Sequence, residues 1–327
     1  MPGDFPLTIG LRGEAVRDLQ RRLARAGFAT PDNEPGMYCS ATSEAVAQFQ
    51  TSRGLHASGS CDELTWRALV EAGWSLGDRL LVLAAPHQRG DDVVDLQNRL
   101  NRLGFDCGRP DGILGAATTR AVEDFQRQAG LNPDGICGPQ TVQTLDVVGR
   151  QSGTGPGVAL VREAESMRDH RSLHALRIVV GQFGGLSAIT RALTRQLRER
   201  GATVISTDEY EATAHAAAAN RFGASVYLGF EPRADISSNV SYFAVPTFES
   251  VGGRALATHL VAQLGPAMQR EMRLRGMRLP VLRETRMPAV LCELGPVRDV
   301  VDSTERIVSA SFRAIDRWSI APNQSLE

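Results

Sequence analysis

Residues 89–105 read RGDDVVDLQNRLNRLGF and residues 12–28 read RGEAVRDLQRRLARAGF, so the chain contains one pattern twice. In each copy three apolar residues recur at i, i+3 and i+7, a spacing that places them on one face of an α-helix. A Gly-Phe pair ends each copy, and glycine readily takes the left-handed conformation found just after helices. The pattern therefore predicts an internal duplication of one helical unit. The apolar positions are Val16, Leu19 and Leu23 in the first copy and Val93, Leu96 and Leu100 in the second.

Each copy continues through a glycine-containing turn into a second helix and then, through another turn, into a third. In the second copy Asp111–Gly112 precedes TRAVEDFQ at residues 119–126, and Pro133–Asp134–Gly135 precedes a helix near Thr141–Leu145. We therefore predict three short helices in each unit. The matching places in the first copy are Gly36, SEAVAQFQ at residues 43–50, Ser58–Gly59 and Thr65–Leu69.

The segment DGILGAATTRAVEDFQRQAGLNPDGICGPQTVQTL, residues 111–145, resembles the peptidoglycan-binding repeat of amidases and other bacterial cell-wall enzymes. The resemblance implies peptidoglycan as the ligand, with the turns Asp111–Gly112 and Asp134–Gly135 as candidate ligand-binding positions. The alternative is that these residues only shape the turns of a helical bundle. The first copy departs from the family pattern, since Cys39 stands where the second copy has Gly115.

The composition is that of an ordinary globular chain. Its 327 residues carry a formal net charge of −1, and 42% of them are hydrophobic, so neither nucleic acid nor an anionic membrane is the expected partner. No run approaches the roughly 18 apolar residues that a membrane span needs. The N-terminus lacks the basic and apolar regions of a secretory signal, so a cytoplasmic location is expected. The five cysteines have no CxxC spacing, which predicts reduced thiols rather than disulfides or a structural zinc site.

After the repeats the pattern changes. Residues 149–157, GRQSGTGPG, are turn-rich and typical of a linker. Short β-branched runs then alternate with helical stretches, which predicts an α/β domain with a central mixed sheet flanked by helices. The predicted strands are 176–180, 202–206, 225–230, 241–245 and 289–293, and the predicted helices are 188–200, 212–222, 252–268 and 303–318. The predicted domains are repeat 1 at 5–73, repeat 2 at 82–148, a linker at 149–175 and the α/β domain at 176–320.

The α/β segment resembles the zinc-dependent N-acetylmuramoyl-L-alanine amidase domain. RMPAVLCELG, residues 286–295, is similar to the family's closing strand, and Glu293 falls on the position of its catalytic glutamate. ASVYLGFEP, residues 224–232, is similar to the strand that ends in a zinc-binding histidine, where this chain has Glu231. The resemblance implies a zinc ion held by two histidines and a glutamate, with a metal-activated water as the nucleophile.

The ligand set implied by this family is incomplete here. The turn after the first strand reads GQFGG, residues 181–185, and contains no histidine, and the loop that carries the second ligand is largely absent. Glu231 alone stands at a ligand position, so we predict no metal and no other cofactor, with zinc as the alternative. Glu293 then has two interpretations: a general acid and base beside a metal-bound water, or a relic that retains hydrogen bonds.

The histidines offer no clear replacement for the missing ligands. His170 and His174 have the i, i+4 spacing of a metal pair on a helix face, but they precede the first strand of the α/β domain. We expect a solvated face there. For His215 a packing or hydrogen-bonding role is expected, and for His259 a position in the core or an interface.

Tandem repeats followed by an amidase-like domain without its zinc ligands resemble the actinobacterial CwlM-type family. That resemblance implies a non-hydrolytic cytoplasmic regulator of peptidoglycan synthesis, which binds a peptidoglycan-precursor enzyme under the control of a Ser/Thr kinase. Two alternatives are open. One is a divergent amidase that hydrolyses the muramoyl–L-alanine bond with zinc, and the other is an exported adaptor that binds the cell wall.

Overall fold

The computed structural model describes residues 5–28, 35–149, 157–168 and 172–320. The chain divides into two compact units, Met1–Ala159 and Leu160–Glu327, which are described in turn. Within the described ranges no helix combines the length and the apolar character that crossing a bilayer requires. The two helical repeats lie in the first unit and the α/β domain lies in the second.

Each repeat consists of three helices around its own apolar core, as predicted. The apolar stripes of the first helices are buried, with Leu19, Leu23, Leu96 and Leu100 completely inaccessible. The glycines that follow these helices have the predicted left-handed backbone, with φ of +88° at both Gly27 and Gly104. The helices are α1 (Glu14–Arg25), α2 (Ser40–Ser52) and α3 (Glu63–Glu71) in the first repeat, and α4 (Asp91–Arg102), α5 (Ala116–Gln128) and α6 (Pro139–Gly149) in the second.

Short backbone bridges close each repeat, and the sequence pattern did not predict them. Leu7 pairs with Cys61 in the first copy, and Leu81 pairs with Cys137 in the second. In both copies an extended segment ahead of the first helix thus reaches the turn that precedes the third helix. The five cysteines are free thiols, as predicted, and four of them are buried.

The second unit contains a seven-stranded sheet. Its strands are β1 (Arg177–Gln182), β2 (Thr203–Thr207), β3 (Val226–Pro232), β4 (Asn239–Val245), β5 (Phe248–Glu249), β6 (Arg273–Met277) and β7 (Ala289–Leu294). They lie in the order β2-β1-β3-β7-β4, and both β5 and β6 pair with β4. The pairs β1–β2, β1–β3, β3–β7 and β4–β6 are parallel, whereas β4–β7 and β4–β5 are antiparallel. The predicted mixed sheet is therefore confirmed.

Helices cover both faces of this sheet, which explains why its central strands are apolar throughout. After the repeats the helices are α7 (Val158–Arg168), α8 (Ser187–Glu199), α9 (Ala212–Phe222), α10 (Val251–Met268), α11 (Pro280–Glu284), α12 (Val297–Asp302) and α13 (Thr304–Ile320). On one face of the sheet Val180 and Leu228 pack into the main core with three long helices, α8, α10 and α13. On the other face lie α9 and α11, which contact each other.

Four elements of the second unit escaped the sequence prediction: β5, β6, α11 and α12. All four have six residues or fewer, and β6 has the sequence RLRGM, whose first four residues are exposed at the edge of the sheet. Arginine and glycine at an edge break the alternation that marks a half-buried strand.

The predicted linker also contains α7, where the buried Glu163 accepts a hydrogen bond of 2.5 Å from Ser250 Oγ.

Candidate functional site

Two carboxylates meet at the carboxyl ends of β3 and β7. Glu231 and Glu293 are register partners in this parallel pair, so both side chains leave the sheet on the same face. The antiparallel strand β4 lies on the other side of β7, and Ser241 Oγ donates a hydrogen bond of 3.1 Å to Glu293 Oε2. Glu293 is completely buried, whereas the side chain of Glu231 is about one-third exposed.

A guanidinium lies beside both carboxylates. Arg233 Nη1 is 3.6 Å from Glu293 Oε1 and 3.9 Å from Glu231 Oε1. Sequence reasoning missed this residue, although it stands only two positions after Glu231. The available signal was the text FEPR, residues 230–233, which places a cation directly after the strand whose end carries the candidate ligand.

The loop that carries Arg233 is held firmly against the end of β7. Arg233 N–H donates to the Leu294 carbonyl at 2.7 Å, and Ser238 Oγ lies 3.3 Å from the backbone of Gly295. Gly295 leaves no room for a side chain, because a Cβ there would lie 2.2 Å from the Asp235 carbonyl oxygen. The backbone of Arg233 and the loop after it are therefore held in place against the end of β7.

A second arginine fastens the same corner from the other side. The Arg270 guanidinium donates to the Gly295 carbonyl and, at 2.5 Å, to Asp299 Oδ2 on α12. Through these two hydrogen bonds Arg270 links the segment before β6 to the end of β7 and to the first turn of α12. The corner beside the carboxylates is consequently fixed at several points.

The residues present do not fit the zinc ion that the amidase resemblance implies. At the end of β1, Gln182 Oε1 accepts a hydrogen bond of 3.0 Å from the Leu186 N–H, so its side chain holds the start of α8. Arg233 brings only hydrogen-bond donors and a positive charge to the carboxylates, and a guanidinium cannot ligate a metal. Across the described ranges no group of three or more His, Cys, Asp and Glu side chains is placed to hold a metal ion. His170, one half of the candidate pair with His174, lies outside those ranges.

His215 has the hydrogen-bonding role that its sequence context predicted. Its Nε2 lies 2.7 Å from the Glu209 carbonyl, which only accepts, and its Nδ1 lies 2.8 Å from Tyr227 Oη. The neutral tautomer that donates from Nε2 and accepts at Nδ1 satisfies both contacts. Phe183 stacks on the ring with centroids 4.2 Å apart. Burial lowers the pKa of His215, against the opposing effect of the Glu209 carbonyl.

Glycine makes room for this histidine and tyrosine pair. A Cβ on Gly181 would lie 2.4 Å from Tyr227 Oη and 2.5 Å from His215 Nδ1. Gly181, near the end of β1, must therefore be a glycine for this pair to pack. His259 is buried in α10, as predicted, and burial lowers its pKa.

In the helical repeats the predicted ligand-binding turns are built around a buried glutamine. Gln126 Oε1 accepts from the Gly135 N–H at 2.9 Å, and its Nε2 donates to Asp134 Oδ1 and to Thr141 Oγ1 at 3.0 and 3.1 Å. Asp134 Oδ1 also accepts from the Ile136 N–H at 2.9 Å. The hydrogen bond from the Ile136 N–H, and to a smaller extent the one from Gln126, lowers the pKa of Asp134.

The same arrangement occurs four times in the tandem repeats, twice in each copy. A helix supplies the glutamine, a glycine with left-handed φ donates its N–H to that glutamine, and a threonine on the next helix accepts from its amide. The repeated Gln of the DLQ and FQ motifs was the available signal. The four pairs are Gln20 with Gly36, Gln50 with Gly59, Gln97 with Gly112 and Gln126 with Gly135, at 2.8, 2.9, 2.8 and 2.9 Å.

These bonds assign a structural role to the four candidate ligand-binding residues. Gly112 and Gly135 are buried, Asp111 is half-buried, and Asp134 is exposed to solvent. In the first copy Ser58 Oγ takes the place of the Asp134 carboxylate, since it accepts from Gln50 Nε2 at 3.2 Å. Contact of these turns with a ligand stays a prediction, and Asp134 is the accessible member of the set.

Known proteins match both the tandem repeats and most of the whole chain in sequence. The profile of the peptidoglycan binding domain family PG_binding_1 matches residues 12–69 and 89–145. N-acetylmuramoyl-L-alanine amidase CwlM of Mycobacterium tuberculosis is 31% identical over 341 residues, which cover 90% of this chain and 83% of that protein. A probable N-acetylmuramoyl-L-alanine amidase of Bacillus licheniformis is 34% identical over 138 residues, which cover 37% of this chain and 39% of that protein.

Solved structures of amidases also match part of the chain. The N-acetylmuramoyl-L-alanine amidase of Clostridium difficile 630 matches with a TM-score of 0.38 and 15% identity, over 44% of this chain and 97% of that one. Ami1 from Mycobacterium smegmatis matches with a TM-score of 0.39 and 12% identity, over 45% of this chain and 98% of that one. By its similarity to CwlM along most of both sequences, the chain belongs to the CwlM family of proteins with peptidoglycan-binding repeats and an N-acetylmuramoyl-L-alanine amidase-like domain.

Proposed function

We propose that this protein is a peptidoglycan-binding, non-catalytic member of the amidase family that regulates cell-wall biosynthesis. The observation that carries the proposal is the environment of Glu293. Its carboxylate is completely buried, accepts a hydrogen bond from Ser241 and lies 3.6 Å from the guanidinium of Arg233. A general base for hydrolysis must reach a water that attacks the substrate, and it does so within hydrogen-bond distance. Here the carboxylate is inaccessible to solvent, and a guanidinium lies beside it.

The tandem repeats supply the binding half of the proposal. Both copies match the peptidoglycan binding domain family. The second copy keeps the aspartates of both turns, and Asp134 is exposed to solvent. We propose that peptidoglycan or one of its precursors binds at this second repeat, while the first repeat, with Ser58 in the equivalent turn, serves mainly as structure or as a contact for a protein.

Location and partners follow from the same proposal. Five free cysteines are typical of a reducing compartment, so we place the protein in the cytoplasm. A cytoplasmic member of this family meets wall precursors rather than the finished wall. It would then act by contact with a precursor-synthesising enzyme, under control of a Ser/Thr kinase.

Metal content tests the non-catalytic half. The full-length protein, purified from cells grown with added zinc and dialysed against buffer, is assayed by elemental analysis alongside its Glu231→Gln variant. We expect far less than one zinc per chain in both samples. About one zinc per chain in the wild type that is lost in the variant would instead support the alternative, a divergent zinc-dependent amidase.

A further inference from the structure

The mismatch between this site and a metal centre extends beyond missing ligands, because a positive charge lies where the carboxylates converge. We infer that the guanidinium of Arg233 takes the place of the metal cation and is the resident counter-ion of Glu231 and Glu293. The inference rests on the proposed non-catalytic function and explains how the two acidic side chains are retained without a metal.

Geometry is the first support. Glu231 and Glu293 are adjacent across β3 and β7, so two carboxylates leave the sheet side by side. One nitrogen, Arg233 Nη1, lies 3.9 Å from the first and 3.6 Å from the second. Glu293 is completely buried, and a buried carboxylate strongly favours a nearby cation because it has lost its water.

Fixation of the loop is the second support. A surface arginine gains little from an ion pair, since holding its long side chain in one place costs conformational entropy. Here the backbone of Arg233 is bonded to Leu294, and the following loop is packed against Gly295. Part of the entropy cost of ordering Arg233 is therefore already met by the packing of its backbone, so its ion pairs cost less to form than those of an arginine on a mobile loop.

Substitutions at Arg233 and Glu293 separate the charge of the guanidinium from the packing of its side chain. Arg233→Met removes the charge and keeps much of the apolar stem, so this guanidinium no longer offsets the repulsion between the two carboxylates. Glu293→Gln in the same chain removes the buried negative charge and relieves that repulsion. Arg233→Lys retains the charge. Arg286→Met removes an exposed arginine near the other end of β7 and serves as the matched control.

Hydrogen exchange of the β3 and β7 peptides in the full-length chain measures the unfolding equilibrium of this domain. We expect Arg233→Met to raise the opening constant about tenfold or more, and Arg233→Met/Glu293→Gln to return most of the way to the Glu293→Gln value. Arg233→Lys and Arg286→Met should stay within about threefold of the wild type. Zinc chloride should protect Arg233→Met more than the wild type, because a divalent cation can then enter between the carboxylates.

Two results would overturn the inference. One is an equal effect of Arg233→Met with and without Glu293→Gln, which means that the two side chains are not coupled. The other is equal protection by zinc of the wild type and of Arg233→Met. Should Arg233→Met fail to fold, folding of the double variant supports the inference, and failure of both contradicts it. None of these readouts is hydrolysis, so the proposed function stands or fails separately.

Discussion

Glu231 and Glu293 face the same side of the sheet from neighbouring parallel strands, and a single nitrogen of Arg233 lies 3.9 and 3.6 Å from their carboxylates. The two residues keep the acidic character of an amidase-like site while an arginine supplies the positive charge. The sheet therefore brings two acidic side chains and one cation together at the carboxyl ends of β3 and β7.

The buried glutamines of the repeats should be essential for stability. Gln126→Ala leaves the Gly135 N–H and the Ile136 carbonyl without the bonds that Gln126 makes to them, and the side chain is only 2% exposed. We expect a loss of about 3 kcal/mol in the free energy of unfolding of the second repeat. Denaturant-dependent hydrogen exchange of the α5 peptides measures it. Gln140→Ala, at an exposed position of α6, is the control and should cost less than about 0.5 kcal/mol.

Asp134 separates the structural role of the turn from ligand binding. Asp134→Ser reproduces the first copy, where Ser58 Oγ bonds to Gln50, so the fold of the turn should be retained. We expect a smaller fraction of the Asp134→Ser protein to sediment together with insoluble peptidoglycan, or weaker binding of a soluble muramyl-peptide precursor. Its thermal stability should be unchanged. Unchanged binding of both ligands would remove Asp134 from the proposed site. Ser58→Ala in the first copy is the matched comparison, and it should leave ligand binding intact.

The α/β domain should lose stability in mild acid through His215. Burial lowers the pKa of His215 below its ordinary value of 6.5, so the unfolded chain binds a proton that the folded chain does not. The stabilising contribution is present above the unfolded pKa and is lost as the pH falls through it toward the folded pKa. The opening constant of β1 should therefore rise between pH 7 and 5 by hydrogen exchange, after correction for the intrinsic exchange rate. His215→Gln keeps an N–H donor for the Glu209 carbonyl, and its chain should have a flatter profile.

Gly181 should tolerate no side chain. The added methyl of Gly181→Ala meets Tyr227 Oη and His215 Nδ1 well inside van der Waals distance, at 2.4 and 2.5 Å. We expect a loss of about 1–3 kcal/mol in the free energy of unfolding of the second unit. Calorimetry of the full chain should show a lower midpoint for one transition. Gly115→Ala places its methyl in open space at φ −103°, and it should leave both transitions nearly unchanged.

The helices of the repeats could be read from the sequence because their information is local. Leu19 and Leu23 define an apolar face by spacing alone, and Gly27 marks the end of the same helix. The four glutamines also repeat in the sequence, but their structural role depends on a turn that folds back onto the preceding helix. Knowing that Gln126 reaches Gly135 requires the tertiary structure.

Part of the candidate site could also be predicted from the sequence. Family resemblance placed Glu231 and Glu293 at the ends of β3 and β7, and register then brought them together. Arg233 belongs to no pattern of strand or helix, since its position depends on the loop packed over Gly295. Edge strand β6 was missed because solvent on its outer side removes the need for apolar alternation.

Hydrolysis of the muramoyl–L-alanine bond tests the central claim most directly. The full-length protein is incubated with a soluble muramyl-peptide, with and without added zinc, and release of the peptide amino group is measured against a Glu293→Gln variant. We predict no release above buffer for either protein in either condition. Release by the wild type that the Glu293→Gln variant lacks would contradict the account and establish an active amidase.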